Sequence, residues 1–231
     1  MTDAEKIEAF AQSIYLAKSN KYFDDIDGED GIIYIAQVID WTNQLLDEIE
    51  VEADWYYARS NDYTIGTVSS TTQTFDLPDD VRKLAVNPDR PLLIQQDGST
   101  VSEWDVVDSG SITRDNLSTR DKVTTVGDQI VFSRSLKDTE IGGTVIADVI
   151  NLFPRLSSTN TEVLDFVKPK QLLILGVAKN STLPDIVQGG ISTSLVQKYN
   201  DLLTQAKLEN SAASVSDEVQ RDDLSYIGGV W

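Results

Sequence analysis

The sequence predicts an α+β protein: an antiparallel helical bundle built from both ends of the chain, a central β-sandwich or barrel-like insertion, and an extended C-terminal arm. Three observations predict it. Apolar residues recur at helical spacing before residue 60 and again after residue 168. Between them the chain turns to short runs rich in Thr, Val, Ser and Gly, divided by turn signals. The last ten residues set Leu, Tyr, Ile, Val and Trp behind an acidic, polar stretch. The expected segments are 1–59 (N-terminal helices), 60–156 (β-rich insertion), 157–210 (C-terminal helices) and 211–231 (flexible acidic tether and apolar arm).

The first helix opens on Thr2-x-x-Glu5, the form of a capping box, in which each side chain satisfies a backbone N–H that the helix leaves unpaired. Ile7, Phe10, Ala11 and Ile14 then line one face, and the helix should end near Ser19-Asn20. After the acidic turn Asp24–Asp30, a second helix should run to about Tyr57 with Ile32, Ile35, Ala36, Ile39, Leu46 and Ile49 on one side. Val38, Trp41 and Leu45 widen that stripe, which implies contact on more than one face. Strands are expected at 63–68, 73–77, 84–86, 92–96 and 101–107, at 144–152 after Gly142-Gly143, and at 123–126 and 129–132 as a hairpin on Gly127-Asp128. Pro169 suits a first helical position ahead of Leu172, Leu173, Leu175, Gly176 and Ala178. Ser194-x-x-Gln197 should cap a last helix bearing Leu195, Tyr199, Leu202 and Ala206 and fading near Asn210.

Composition narrows the chemistry. Hydrophobic residues make up 40% of the 231, enough for a folded core. No run reaches the roughly 18 apolar residues that cross a bilayer, and the start Met1-Thr2-Asp3-Ala4-Glu5 lacks the basic and apolar regions of a secretory signal. There is no Cys, hence no disulfide or thiolate site, which fits synthesis in a reducing cytoplasm. There is no His, which removes the commonest general base and metal ligand. A formal charge of −19 without a Lys/Arg cluster argues against direct nucleic-acid binding, since phosphate affinity comes from clustered cations.

Each motif has an ordinary explanation that outweighs a chemical one. The Asp24–Asp30 loop resembles the middle of a calcium loop, but Gly28 falls fifth counting from Asp24 and position twelve is Ile35, so an EF-hand register fails. The pairs Asp79-Asp80 and Asp222-Asp223 are expected from so many acids and read as solvated turns. Gly142-Gly143 and Gly189-Gly190 read as turns or hinges, since no phosphate-binding glycine fingerprint is present. Trp41, Trp55, Tyr56 and Tyr57 read as core aromatics packed between bundle and β-block. No catalytic, metal or cofactor residue is therefore assigned. The arm residues Leu224, Tyr226, Ile227, Val230 and Trp231 are instead assigned to contact, with a partner subunit or with their own domain, because an apolar chain end gains roughly 1.5–3 kcal/mol for each large side chain it buries.

The order of elements resembles the head-to-tail adaptor (connector, or head-completion) proteins of tailed bacteriophages. The resemblance is carried by Trp55-Tyr56-Tyr57 closing helix two, by the Phe-x-Leu-Pro-x-Asp form of Phe75–Asp80, and by the paired helical stretches Pro169–Ala178 and Lys198–Lys207. It implies a structural virion protein, made in the host cytoplasm and placed at the head–tail junction. Twelve copies would form a ring beneath the portal, extend the DNA channel without binding DNA specifically, and dock the next neck or tail protein. C-terminal segments of such proteins grip the portal or a neighbouring subunit, and the resemblance implies a tail-side or inter-subunit contact for Phe75, Leu77 and Pro78. Another neck or tail component, such as a tail terminator, and a free-standing binding or enzymatic domain with a self-docked tail are the alternatives.

Overall fold

The structure, a computed structural model, describes residues 1–19, 26, 28–87, 89–110, 121–181 and 193–227, with side chains described as far as Ala213. The chain is α+β and divides into two compact units, Met1–Tyr57 with Phe153–Trp231, and Ala58–Leu152.

The first unit holds the helices α1 (Asp3–Ser19), α2 (Glu29–Glu52), α3 (Val163–Phe166), α4 (Lys170–Asn180) and α5 (Thr193–Ile227). The capping box forms: Thr2 N–H donates to Glu5 Oε2 at 2.6 Å and Glu5 N–H to Thr2 Oγ1 at 3.3 Å. Ile7, Phe10, Ala11 and Ile14 are the buried face of α1. The short α4 packs against α1, α2 and α5, and this central position explains its near-continuous apolar sequence Leu172–Ala178. Gly176 makes that position attainable. A Cβ there would lie 2.5 Å from a Leu45 methyl and 2.8 Å from the Tyr199 ring, so only glycine lets α2 and α5 close on α4.

The helical unit departs from the sequence reading in five places. The covered row of α2 is Tyr34, Val38, Thr42, Leu45, Leu46 and Ile49, while Ile32 and Ile33 stay 65% and 58% exposed. Its apolar residues occupy more of the circumference than its neighbours cover. The helix also stops at Glu52 rather than near Tyr57, because the Trp55 indole folds back and donates to the Ile49 carbonyl at 2.8 Å, filling an orphaned acceptor of the last turn. Pro169 is the N-cap of α4 rather than its first residue, and Ser194 lies inside the first turn of α5, which begins at Thr193. Finally, α5 continues past Asn210 to Ile227, with no Gly or Pro before Gly228 to stop it. The acidic loop 20–25 with Asp27, and Gly189-Gly190, lie outside the described residues.

The second unit is one curled, mixed sheet of eight strands: β1 (Arg59–Thr67), β2 (Thr74–Asp76), β3 (Val81–Leu84), β4 (Leu92–Gln96), β5 (Ser99–Val106), β6 (Asp121–Val126), β7 (Gln129–Phe132) and β8 (Thr144–Asn151). Its order is β1-β8-β4-β5-β6-β7-β2, with β3 also on β8. One edge of β8 takes β1; the other takes β4 at Thr144–Ile146 and β3 at Val149–Asn151. All pairs are antiparallel except β5–β6, aligned Trp104↔Asp121 to Val106↔Val123. The expected hairpin on Gly127-Asp128 forms as β6–β7, with Gly127 at φ +58°. The third strand sits at Val81–Leu84 rather than 84–86, because its register on β8 buries Val81 and Leu84. Curling brings distant strands together. Phe75 of β2 packs on Gly66 of β1, where a Cβ would come within 2.9 Å of the ring, and Leu84 N–H of β3 donates to Thr125 Oγ1 of β6 at 3.0 Å. The core so enclosed is centred on Leu92, Ile94, Trp104, Val123, Ile130, Phe132, Val145 and Val149.

Candidate interaction surfaces

In the helical unit, the chain returning after Leu152 is fastened to α2 by Asn43 and Glu50. Asn43 bonds the Leu156 backbone twice, accepting from its N–H at 2.9 Å and donating to its carbonyl at 3.0 Å. Buried Glu50 accepts from Phe153 N–H at 2.5 Å and pairs with Arg155 at 3.1 Å. The middle of α5 is tied to the end of α2 and the turn that follows it. Asn210 accepts from Tyr56 N–H at 2.6 Å and donates to the Asp54 carbonyl at 3.1 Å, and Lys207 pairs with Glu52. Tyr57 stacks on Trp55 and meets Phe153 and Phe166 edge-on or tilted, so these aromatics are core of the helical unit, with Tyr56 the half-exposed member.

Of the arm residues, Leu224, Tyr226 and Ile227 fall within the helical backbone of α5, with side chains outside the described residues; Val230 and Trp231 lie outside them altogether. A helix of 35 residues is about 52 Å long, and Asn210, near its middle, bonds the turn that follows α2. In the β-unit, Phe75 and Leu77 are partly buried against the sheet core, Leu77 N–H donates to the Asp128 carbonyl at 2.9 Å, and the Pro78 carbonyl accepts from Val81 N–H at 3.0 Å. This segment is thus built into the wall of its own unit. Nearby, Asp80 accepts from the Tyr63 hydroxyl, which raises the tyrosine's pKa.

Two guanidinium–carboxylate networks fix the sheet. Arg134 forks onto Glu140 at 3.0 and 3.1 Å, bonds Asp121, and lies 4.2 Å over the ring of Trp104. Burial pushes the Glu140 carboxyl up, but the bonds from Arg134, the Lys137 backbone N–H and Ser102 outweigh it and hold the group below the usual carboxylate range. Buried Asp148 faces Arg59 at 3.6 Å and Arg90 at 3.5 Å, and accepts from the Asp62 N–H at 3.2 Å. A cavity of about 200 Å³ adjoins it, lined by Asp62, Asp89, Arg90 and apolar residues of β4 and β8.

The helical unit has a cleft of its own, about 220 Å³, floored by Ala9, Phe10 and Leu164 and rimmed by Lys6, Ser13, Asp165 and Lys170. Lys6 stands 3.8 Å from Asp165. Sequence reasoning missed both this cleft and the exposed pair Ile32–Ile33. The second was signalled by an α2 stripe too wide for one contact; the first, assembled from three separate helices, had no local signal. Compared with protein-family models and with curated proteins, the chain matches none.

Proposed function

We propose that this chain is a structural virion protein, a head-to-tail adaptor that forms a ring beneath the portal of a tailed bacteriophage, extends the DNA channel and docks the next neck or tail protein. The observation that carries this reading is topological. Helices from both ends of the chain make one unit, the β-unit is a single excursion between Tyr57 and Phe153, and the last helix continues well past its tie to α2. A bundle anchor, a separate β-unit and a long terminal element suit a protein that must contact several neighbours. The charge of −19 supports the same reading, because an acidic channel wall repels DNA and lets it slide. Leu224, Tyr226, Ile227, Val230 and Trp231 are the proposed anchor on the portal or on a neighbouring subunit.

The test is electron microscopy of the portal ring mixed with the full chain and with a version ending at Val215. Added ring density below the portal that disappears on truncation supports the adaptor and gives the arm its role. Density with both versions keeps the adaptor and removes the arm as its anchor. No density with either version overturns the reading.

A further inference from the structure

The helix α2 carries no lysine or arginine along its whole length, and its first turn presents Glu29 and Asp30 beside Ile32 and Ile33, the latter two well over half exposed. Among the described residues, no cation pairs with Glu29, Asp30 or Asp40. The cleft of about 220 Å³ in the same unit has the opposite character: an apolar floor of Ala9, Phe10 and Leu164, with Lys6 and Lys170 at its rim. Among the described residues that line it, Lys6, Lys170 and the Met1 ammonium outnumber Asp165, and none belongs to α2. One surface is acidic with protruding isoleucines; the other is basic with an apolar hollow.

We infer that the first turns of α2 in one copy dock into the Lys6–Lys170 cleft of a second copy, head to tail. Ile32 or Ile33 enters the hollow over Phe10 and Leu164, while Glu29 and Asp30 meet Lys6 and Lys170. The matching surfaces are different patches of the same unit. The contact is therefore heterologous, and it propagates from copy to copy instead of closing as a two-fold dimer. Closure of that series into a ring rests on the adaptor reading; the docking itself does not.

Sedimentation velocity on the full chain tests it with two double variants, Ile32→Asp/Ile33→Asp and Lys6→Glu/Lys170→Glu, circular dichroism confirming that both remain folded. The substituted positions are at or near the surface, so folding should survive. The unaltered chain should form species larger than a dimer as concentration rises, with association weakening in high salt because the rim is ionic. Each variant should associate at least roughly tenfold more weakly, the loss expected for removing interface anchors. Mixed together, the variants should give a one-to-one dimer that grows no further, since each keeps the surface the other lacks. A chain that stays monomeric, a variant that assembles like the parent, or a mixture that yields no dimer overturns the inference. Portal binding is read separately: its absence alongside intact self-docking removes the adaptor reading and leaves this contact standing.

Discussion

The two units solve the same problem, burying a chain without stranding its polar groups, by different means. In the helical unit the backbone is satisfied largely within each helix, and the interior is filled mainly by close contact of apolar and aromatic side chains, with buried Glu50, paired with Arg155, among them. The groups there with displaced pKa values are the Lys18 ammonium, lowered by burial, and three phenols, raised. Burial is the largest cause for Tyr34, Tyr57 and Tyr199, and the Tyr199 phenol, also facing Glu48 and Glu52, is pushed up to about 12. In the β-unit the sheet curls without closing fully through backbone pairs, and charged side chains complete the wall. There Glu140, 1% exposed, is held charged by Arg134. The helical unit should therefore fail by overpacking and by alkali, and the β-unit by loss of an ionic partner and by acid.

The largest break in that contrast comes from Arg134→Met. Removing the guanidinium leaves Glu140 buried and unpaired, which costs about 3–5 kcal/mol. Hydrogen exchange read by mass spectrometry should show protection lost across β5 to β8 while α1 and α4 keep theirs. Equal loss in both units would contradict separate bases of stability. Next is Gly176→Ala. The added methyl gains roughly 1 kcal/mol of helix propensity, but it collides with Leu45 and Tyr199, and overpacking costs about 1–3 kcal/mol. Net destabilisation in urea, confined to the helical unit, is the expected result; a stabilised protein would mean the three helices can move apart at little cost. Thr2→Ala is smaller, about 1 kcal/mol, because it removes one exposed cap. Its effect should stay within the first turn of α1.

The finest test is pH. For Glu140 the folded pKa is depressed, so its contribution is present above the usual carboxylate value of about 4.3 and is lost as pH falls through the lower folded value. For Tyr199 the folded pKa is raised, so its contribution is present below the usual phenol value of about 10 and is lost as pH rises toward about 12. Acid titration of Glu140→Gln and alkaline titration of Tyr199→Phe, each followed by unfolding midpoint, should flatten one limb apiece. A variant that flattens the opposite limb would sink the assignment.

Much of the fold was legible because its signals are local. The capping box at Thr2 and Glu5, the α1 stripe, the strand at 92–96 and the hairpin on Gly127 need only a few consecutive residues to specify them, and all form. Element ends were less legible where a tertiary contact decides them. Trp55 reaching back to Ile49 ends α2, and pairing on β8 moves the third strand. The candidate surfaces divide the same way. An apolar C-terminal segment can be read from composition, whereas the cleft between Lys6, Asp165 and Lys170 joins positions over 150 residues apart in sequence and exists only once α1, α3 and α4 have packed.

By itself, then, the sequence determined the α+β class, the types and approximate places of the elements, and the chemistry excluded by the absence of His and Cys. Periodicity, turn residues and composition act over a few residues and survive without knowledge of neighbours. Only the tertiary structure decided which part of the wide α2 stripe is covered, which carboxylate Arg134 holds, and which strands meet when the sheet curls. Those outcomes depend on what distant segments bring to the same place, and burial, not local preference, sets the free energy of each.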